Sequence, residues 1–577
     1  MINKFLYFFN KNQKRTLLIL FALMFISSIL EMVGLGFIFS IVGALSPENM
    51  EKNFILDKLS NFIDLNNSKI FLNLLLVFFL FYIFKTIFLI FFYWFKSNFT
   101  YSYQENLSSK VFRQYLNQKF SYFFNRNSSE LIRNILTEID QFLVFLGSLL
   151  ELILEVIVII GIFCLLSFID FYFTLLITTV FILLASLYFL AFRGRLNTWG
   201  QQRQIFMKKK IQFMQEGFDG LKIIKLLGRE NFFYQKFKFH NVNLSKIATL
   251  TTFFQSVPRL LLEIVGIIFI TLSLYTFYSS GKNLVEITQI LSVYVAASFR
   301  ILPSVNRIVS NLQFMKLSYP ALNVLYKELN NFSKEVDIAH EKFQFKKNIS
   351  INIQNFTYPN SQNFEISNVK IDIQKGQKIG IMGASGSGKS TIMEILTGVL
   401  ELEKGDVLVD EKSVFKNIRG WQKLIGFVPQ KIFILDESLR NNILFGLDNK
   451  KFTDNQILEL IKKINLEKLL NRLPGGLDGN LGEEGLNLSG GEIQRIGMCR
   501  ALIYDPEILF LDEATSALDN NTESQILDEL KLFKEKTIIS IAHRLNTLKY
   551  SDMIYYIENG KLLDQGNFEK FKLIEKR

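Results

Sequence analysis

The chain changes character near residue 315, from a strongly apolar part to a part in which polar and apolar positions alternate. A helix needs about 20 apolar residues to cross a bilayer. Runs of that length fill the first part, and none of comparable length follows. The pattern therefore predicts six membrane-spanning helices and then a domain outside the membrane. The predicted spans are residues 16–45, 70–95, 142–168, 171–192, 254–279 and 284–313.

The charges between these spans predict the topology. Residues 96–140 hold six Lys and Arg and residues 193–253 hold twelve, whereas residues 46–69 hold three against four acids. Because cytoplasmic loops carry the excess of Lys and Arg, we expect both termini and the two basic loops in the cytoplasm. This describes an integral multi-pass protein of the cytoplasmic (inner) membrane. The net charge of +12 then follows from topology, and nucleic acid is not an expected partner.

The loop after the first span carries a helical repeat of apolar residues. Ile55, Leu59 and Phe62 share one face of a helix over residues 54–63. This segment predicts either a short helix lying on the outer membrane surface or an ordinary loop helix folded on the protein.

Four basic residues fall inside predicted spans: Lys85, Arg259, Arg300 and Arg307. A charge there costs about 2.5–3.5 kcal/mol on insertion scales and marks a cavity or a partner. Arg300 and Arg307 are seven apart and share one helix face, and guanidinium groups bind phosphate bidentately. We predict that these four residues bind the phosphate or pyrophosphate group of a substrate. Internal pairing remains the alternative, with the intramembrane acids Glu31, Glu151, Glu155 and Glu263.

The second part contains a phosphate-binding pattern. Residues 331–347 are polar and read as a linker between residues 1–330 and a domain at 348–577. The strand Lys378–Met382 precedes a G-x-x-x-x-G-K-S loop whose N–H groups cradle phosphates, and the following helix begins at the phosphates. The residues predicted to bind nucleotide here are Gly383, Ala384, Ser385, Gly386, Ser387, Gly388, Lys389, Ser390 and Thr391.

A second strand ends in two carboxylates. Ile508–Asp512 is apolar until Asp512, and Glu513 follows. Asp512 is expected to assist Mg²⁺ with Ser390 as a direct ligand, and Glu513 to polarise the attacking water as general base. A buried strand that merely ends in acids at a turn is the alternative. The pattern thus predicts a nucleotide and Mg²⁺ as ligands.

Residues 488–492, Leu-Ser-Gly-Gly-Glu, resemble the signature of ATP-binding-cassette (ABC) ATPases. The resemblance implies that two cassettes close face to face over ATP. With one cassette per chain it implies a homodimer, in which Ser489, Gly490 and Gly491 face the γ-phosphate held by the other copy. The usual last residue of the signature is Gln, and Glu492 stands here. An acid at this place is expected to weaken closure over ATP.

The same resemblance assigns roles to isolated residues. His543 matches the switch histidine that contacts the γ-phosphate, and Gln430 matches the glutamine that approaches the metal. Tyr358 matches the aromatic residue that stacks on adenine, and Asp519 lies in the loop that joins the two cassettes. These matches imply a complete hydrolytic site.

Six spans with two long cytoplasmic loops resemble the membrane domain of ABC exporters of the B-type, lipid A exporter-like architecture. The fold implied is a six-helix all-α transmembrane domain (type IV exporter) followed by an α/β P-loop ATPase domain. Residues 121–132 and 215–225 resemble the helices that dock on the cassettes, and residues 482–485 resemble the exporter loop that touches them. Amphipathic cytoplasmic helices without a coupling role are the alternative for both docking regions.

Three short segments are similar to the bacterial lipid-linked oligosaccharide flippases of protein N-glycosylation: residues 81–85, 257–263 and 299–308. These half-transporters move undecaprenyl-pyrophosphate-linked glycans, so the resemblance implies an ATP-driven flippase for a polyprenyl-pyrophosphate-linked oligosaccharide. Export of lipid A-like lipids, drugs or peptides remains open. A membrane-bound ATPase that regulates and transports nothing is a hypothesis of another class.

Overall fold

The chain forms two compact units in the computed structural model, which describes residues 2–44, 70–167, 171–279, 284–332, 343–359, 364–514, 523–525, 528 and 535–575. One unit comprises residues 1–118 and 125–334 and is helical; the other comprises residues 119–124 and 335–577 and is of α/β type. We call them the helical unit and the α/β unit.

The described residues of the helical unit form long helices and three short ones. Their bounds are α1 Ile2–Tyr7, α2 Lys11–Ala44, α3 Ile70–Leu116, α4 Ser128–Arg133, α5 Ile139–Ser167, α6 Phe171–Asp219, α7 Leu221–Leu227, α8 Glu230–Ser279 and α9 Leu284–Asn331, with a π-helical segment at Asn134–Glu138 between α4 and α5.

Four of these helices are far longer than a membrane crossing. Helices α3, α6, α8 and α9 have 47, 49, 50 and 48 residues. At 1.5 Å per residue this is about 70–75 Å, against a hydrocarbon core of about 30 Å. Within the described residues, five helices are apolar and long enough to cross a membrane. The predicted sixth span lies in α9, which runs through Pro303 and Pro320.

The α/β unit contains two sheets. A four-stranded antiparallel sheet has the order β2-β1-β4-β5, and a six-stranded sheet has the order β10-β9-β3-β8-β7-β6. All neighbours in the larger sheet are parallel except β10 and β9. The strands are β1 Asn348–Thr357, β2 Glu365–Gln374, β3 Lys378–Met382, β4 Lys404–Val409, β5 Lys412–Ser413, β6 Ile425–Val428, β7 Ile508–Asp512, β8 Thr537–Ala542, β9 Met553–Glu558 and β10 Lys561–Gly566.

Helices cover these sheets and bury their apolar faces. The burial pattern of β7 shows four buried residues in succession before Asp512, as a strand covered on both faces requires. A large apolar core around Trp421 and Phe510 joins the two sheets. The helices are α10 Lys389–Leu396, α11 Ile418–Gln422, α12 Leu439–Leu444, α13 Asp454–Lys463, α14 Glu467–Arg472, α15 Gly490–Leu502 and α16 Phe568–Glu575.

The loop between α3 and α4 is divided between the two units. Residues 119–124 group with the α/β unit although their neighbours on both sides belong to the helical unit. Lys119 Nζ lies 2.6 Å from Glu401 Oε2, and the ring centroid of Phe124 lies 5.3 Å from that of Tyr358. The first predicted docking region thus begins in a segment that packs on the α/β unit, and its coupling role stays a prediction.

The second docking region, the outer helix and the linker were also predicted from the sequence. The second docking region ends in the short exposed helix α7, flanked by Gly220 and the left-handed Gly228, and its role also stays a prediction. The predicted outer helix over residues 54–63 and most of the predicted linker 331–347 lie outside the described residues.

Candidate functional site

The phosphate loop joins the end of β3 to the start of α10, as the sequence predicts. Lys389 is 4% exposed, and its Nζ donates to the carbonyls of Gly383 at 2.9 Å and Ala384 at 2.8 Å. Burial lowers the pKa of Lys389, while the carboxylates of Glu513 and Asp512 act in the opposite direction. The lysine is therefore held inside the loop, beside the carboxylates that end β7.

Two glycines of this loop are required by its geometry. A Cβ at Gly383 would lie 2.1 Å from the carbonyl oxygen of Ile557, closer than atoms can approach. Gly388 has φ +104°, a left-handed conformation that favours glycine. Side chains at either position would displace the loop from the neighbouring strands.

The carboxylate of Asp512 fits a cation site. Its Oδ1 is buried and has no hydrogen-bond partner among the described residues, and the same holds for Ser387 Oγ. Burial, together with the charges of Glu513 and Glu394, raises the pKa of Asp512 to about 6, although Lys389 and a hydrogen bond from Ser390 lower it. Orphaned oxygens near the phosphate loop are what a hard cation such as Mg²⁺ needs. The residues therefore fit the ion that ATP chemistry requires.

Glu513 is the centre of a three-residue contact. Gln430 Nε2 donates to its Oε2 at 2.7 Å, and His543 Nε2 contacts its Oε1. The Glu513 backbone has φ +49°, in the left-handed region, and its N–H donates to the carbonyl of Ile541 at 3.2 Å. The three residues that the sequence predicts as catalytic are thus adjacent in space, at the ends of different strands.

A cleft of about 400 Å³ connects these groups. One end is polar and consists of phosphate-loop residues and the Glu513 cluster; the other end is aromatic and consists of Tyr358 and Phe364. A polar end for phosphates and an aromatic end for a base is the arrangement that a nucleotide requires. The cleft is lined by Tyr358, Phe364, Ser385, Gly386, Gly388, Lys389, Ser390, Thr391, Gln430, Glu513 and His543.

Tyr358 is fixed at the aromatic end by its hydroxyl. The Tyr358 hydroxyl donates to Glu394 Oε2 at 3.1 Å and lies 3.1 Å from Thr391 Oγ1. Burial raises the pKa of both Tyr358 and Glu394. Phe364 and Glu394 were not predicted from the sequence. Phe364 had only its position just before β2 as a signal, and Glu394 only its place five residues after Lys389 on α10.

The signature residues lie away from this cleft. Ser489 is the N-cap of α15, and Gly490 and Gly491 begin the helix. Among the described residues that line the cleft, none belongs to the signature. That the signature serves a second copy stays a prediction. Asp519 lies outside the described residues.

Among the described residues, the structure gives internal contacts to three of the four predicted substrate cations. Arg259 Nε donates to Glu263 at 2.8 Å within α8, and Arg307 Nη1 donates to Glu155 at 2.6 Å between α9 and α5. Lys85 lies over the Tyr82 ring, 5.1 Å from its centroid, and the side chain of Arg300 lies outside the described residues. The alternative of internal pairing thus describes Arg259 and Arg307, and their substrate role stays a prediction.

Comparison with known proteins identifies both units. The family profile "ABC transporter transmembrane region" matches residues 17–302, and the profile "ABC transporter" matches residues 366–516. The HepA heterocyst differentiation ATP-binding protein of a Nostoc species is 28% identical over 84% of this chain and 81% of its own length. An ATP-dependent lipid A-core flippase of Pseudoalteromonas atlantica is 28% identical over 80% of this chain and 79% of its own.

A solved structure shares the fold. The structure of a bacterial Atm1-family ABC exporter with ATP bound matches with a TM-score of 0.79 and 19% identity, over 98% of this chain and 97% of that one. The predicted fold class, a type IV exporter membrane domain followed by a P-loop ATPase domain, is confirmed. A specific resemblance to lipid-linked oligosaccharide flippases is not among these findings, and that part stays a prediction.

Proposed function

Because this chain is an ABC exporter half-transporter with one transmembrane region and one ATPase domain, we propose that two copies use ATP to flip an anionic, lipid-anchored substrate across the inner membrane. The best candidate is a polyprenyl-pyrophosphate-linked oligosaccharide. The observation that carries the proposal is the contact of Arg307, which lies inside a predicted span. Its guanidinium pairs with the buried carboxylate of Glu155, and its side chain remains partly exposed.

ATP hydrolysis is the best-supported step. The loop N–H groups and Lys389 would hold the phosphates, and Ser390, Asp512 and Gln430 would hold Mg²⁺, which neutralises phosphate charge when bound. Glu513 accepts the proton of the attacking water. Gln430 and His543, which both contact its carboxylate, orient it toward the phosphate end of the cleft.

The dimer follows from the separation of the signature from the cleft. Ser489 carries a hydroxyl and a helix N-terminus that can meet a phosphate, yet it lies outside the lining of the cleft in its own chain. A second copy supplies the missing half of each site. ATP binding then draws two α/β units together, hydrolysis releases them, and the helical units alternate in access.

Substrate recognition is proposed to use Arg307. Glu155 is 2% exposed and uses Oε1 to accept from Arg307 Nη1, whereas the Arg307 side chain is 43% exposed. The buried acid thus fixes one Nη of the guanidinium, and no described residue is hydrogen-bonded to its other N–H groups. Guanidinium N–H groups in this arrangement match the oxygens of a phosphate. A lipid substrate is also what the name of the P. atlantica relative, a lipid A-core flippase, gives for that protein.

The test is reconstitution in liposomes with a fluorescent polyprenyl-pyrophosphate-linked glycan. We expect ATP added outside to deplete the label of the outer leaflet, the pool that an external quencher reaches, and no movement with Glu513→Gln. In the same liposomes, the ratio of substrate-stimulated to unstimulated ATPase activity should fall toward one in Arg307→Ala. The control is Arg195→Ala, which removes an exposed arginine of α6 beyond the predicted span. This variant should keep the wild-type ratio.

Other outcomes separate the alternatives. Stimulation by lipid A-like lipids or hydrophobic drugs, but not by the pyrophosphate-linked glycan, would favour another exporter of this family. Equal stimulation of the wild type and Arg307→Ala would remove phosphate recognition by Arg307. ATP hydrolysis without movement of any lipid or drug would favour a regulatory ATPase.

A further inference from the structure

An arginine from another helix contacts the signature. Arg472 ends α14, and its Nη2 donates to Glu492 Oε2 at 3.1 Å and to the carbonyl of Asn487 at 3.3 Å. A single nitrogen thus joins the segment before the signature to the last residue of the signature. Arg472 lies twenty positions before Glu492, and no sequence motif singled it out.

The same carboxylate oxygen closes a capping box. Glu492 Oε2 accepts the Ser489 backbone N–H at 2.8 Å and the Ser489 hydroxyl at 3.0 Å, while Ser489 Oγ accepts the Glu492 N–H at 3.3 Å. Capping of this kind satisfies N–H groups at a helix start. The carboxylate is therefore turned back into the helix terminus.

Glu492 remains charged in this arrangement. Burial by itself raises the pKa of Glu492, but hydrogen bonds from Ser489 and the charge and hydrogen bond of Arg472 outweigh it and bring the pKa below its usual value. A negative charge suits the N-terminus of α15. It opposes a γ-phosphate that approaches the same N-terminus, and the cation of Arg472 offsets that opposition.

We propose that Arg472 is a positioning residue for ATP hydrolysis. It neutralises Glu492 and keeps the carboxylate in the cap, so that Ser489, Gly490 and Gly491 can receive the γ-phosphate held by a second copy. The inference rests on the closure of two copies in the proposed function. It also accounts for a glutamate at a signature position where glutamine is usual: the acid is compatible with closure because α14 supplies its counter-charge.

The expected size of the effect of removing Arg472 follows from the exposure of the Arg472–Glu492 ion pair. The Arg472 side chain is 56% exposed and that of Glu492 is 17% exposed. Ion pairs this exposed shift an equilibrium by up to about fivefold. Two copies contain two such pairs. The equilibrium constant for closure of the two copies should therefore change by up to about the square of this fivefold factor.

The test measures ATPase rate against ATP concentration for the full chain in lipid nanodiscs. In Arg472→Ala the half-saturating ATP concentration should rise by about two- to fivefold, with a smaller change in the rate at saturating ATP. Arg472→Ala combined with Glu492→Gln should return to the wild-type value, because no uncompensated charge remains. Lys468→Ala removes an exposed cation one turn earlier on α14 and should match the wild type.

Two results would overturn the inference. One is an unchanged half-saturating ATP concentration in Arg472→Ala. The other is failure of Glu492→Gln to rescue it, since a purely structural loss in α14 would persist in the double variant. These assays need no transported substrate, so a failed flipping assay leaves them intact. Cross-linking with Mg²⁺-ATP reports separately whether two copies associate.

Discussion

At the scale of single residues, the backbone of Glu513 is the most constrained part of the site. Its φ of +49° is unfavourable for a residue with a Cβ and costs on the order of 1 kcal/mol. The ladder bond to Ile541 and the contacts of the carboxylate with Gln430 and His543 hold it there. In this backbone conformation Glu513 lines the cleft together with the phosphate-loop residues.

Glu513→Gln tests this role. The amide keeps the size and the contact with Gln430 but cannot accept the proton of water, so the maximal ATPase rate should fall by about a hundredfold or more. Binding of a fluorescent ATP analogue should stay near the wild-type level, which shows that the cleft is intact. A fall of less than about fivefold would assign the proton to another group.

The pKa of Asp512 predicts how Mg²⁺ dependence changes with pH. Burial and the nearby carboxylates raise this pKa to about 6, and a metal binds only the ionised form. Above pH 7 protons compete little with Mg²⁺ for the Asp512 carboxylate. From pH 7 to pH 5 the half-saturating Mg²⁺ concentration for ATPase activity should rise by about tenfold, after correction for Mg²⁺ binding to free ATP in the same buffers. A flat dependence would contradict the raised pKa.

At the scale of elements, the π-helical segment between α4 and α5 concentrates buried charge. Glu138 is fully buried, with Arg133 Nε at 3.6 Å, Arg203 Nη2 at 3.7 Å and Gln204 Nε2 at 2.6 Å. Arg133 precedes the segment, and Arg203 and Gln204 belong to α6. This carboxylate therefore joins α6 to the segment that leads into α5.

Glu138→Ala should destabilise the helical unit. Removing the acid leaves two largely buried arginines without it, and breaking a buried ion pair in this way costs about 3–5 kcal/mol. Thermal unfolding in detergent should therefore shift clearly downward. Glu130→Ala, which removes a half-buried carboxylate paired with Lys208 at the start of the same region, should shift it far less. Equal shifts for both variants would deny the buried cluster a special role.

At the scale of the whole molecule, each chain contains one cleft and one signature that do not meet. The cleft is lined by the residues predicted to bind phosphate, metal and water, and the signature begins α15 outside that lining. In the proposed function, such a half-transporter becomes a complete ATPase only by pairing. Closed symmetry with the same patch on both subunits is the commonest solution.

Mixed dimers test the pairing. Two affinity tags can isolate dimers with one wild-type copy and one Lys389→Ala copy, which cannot hold phosphate in its own loop. If both sites must close together, their ATPase activity should be well below half of the wild type. Dimers with two differently tagged wild-type copies serve as the control. Activity near half would indicate independent sites.

The sequence by itself determined the features that depend on residues close together in the chain. Spans follow from runs of apolar residues, and the phosphate loop follows from glycines and a lysine at fixed spacing. The strand Lys378–Met382 and the acids after Ile508–Asp512 were found for the same reason. In each case the residues that carry the chemistry are neighbours in the chain, so their pattern is visible without a fold.

Only the tertiary structure decided which distant side chains meet. Gln430 reaches Glu513 across 83 positions and Glu155 reaches Arg307 across 152, and the partner of Glu492 is an arginine of another helix. The charge of Glu492 was visible in the sequence, but its neutralisation was not. Electrostatic effects depend on distance and burial in space, and packing of separate elements sets both.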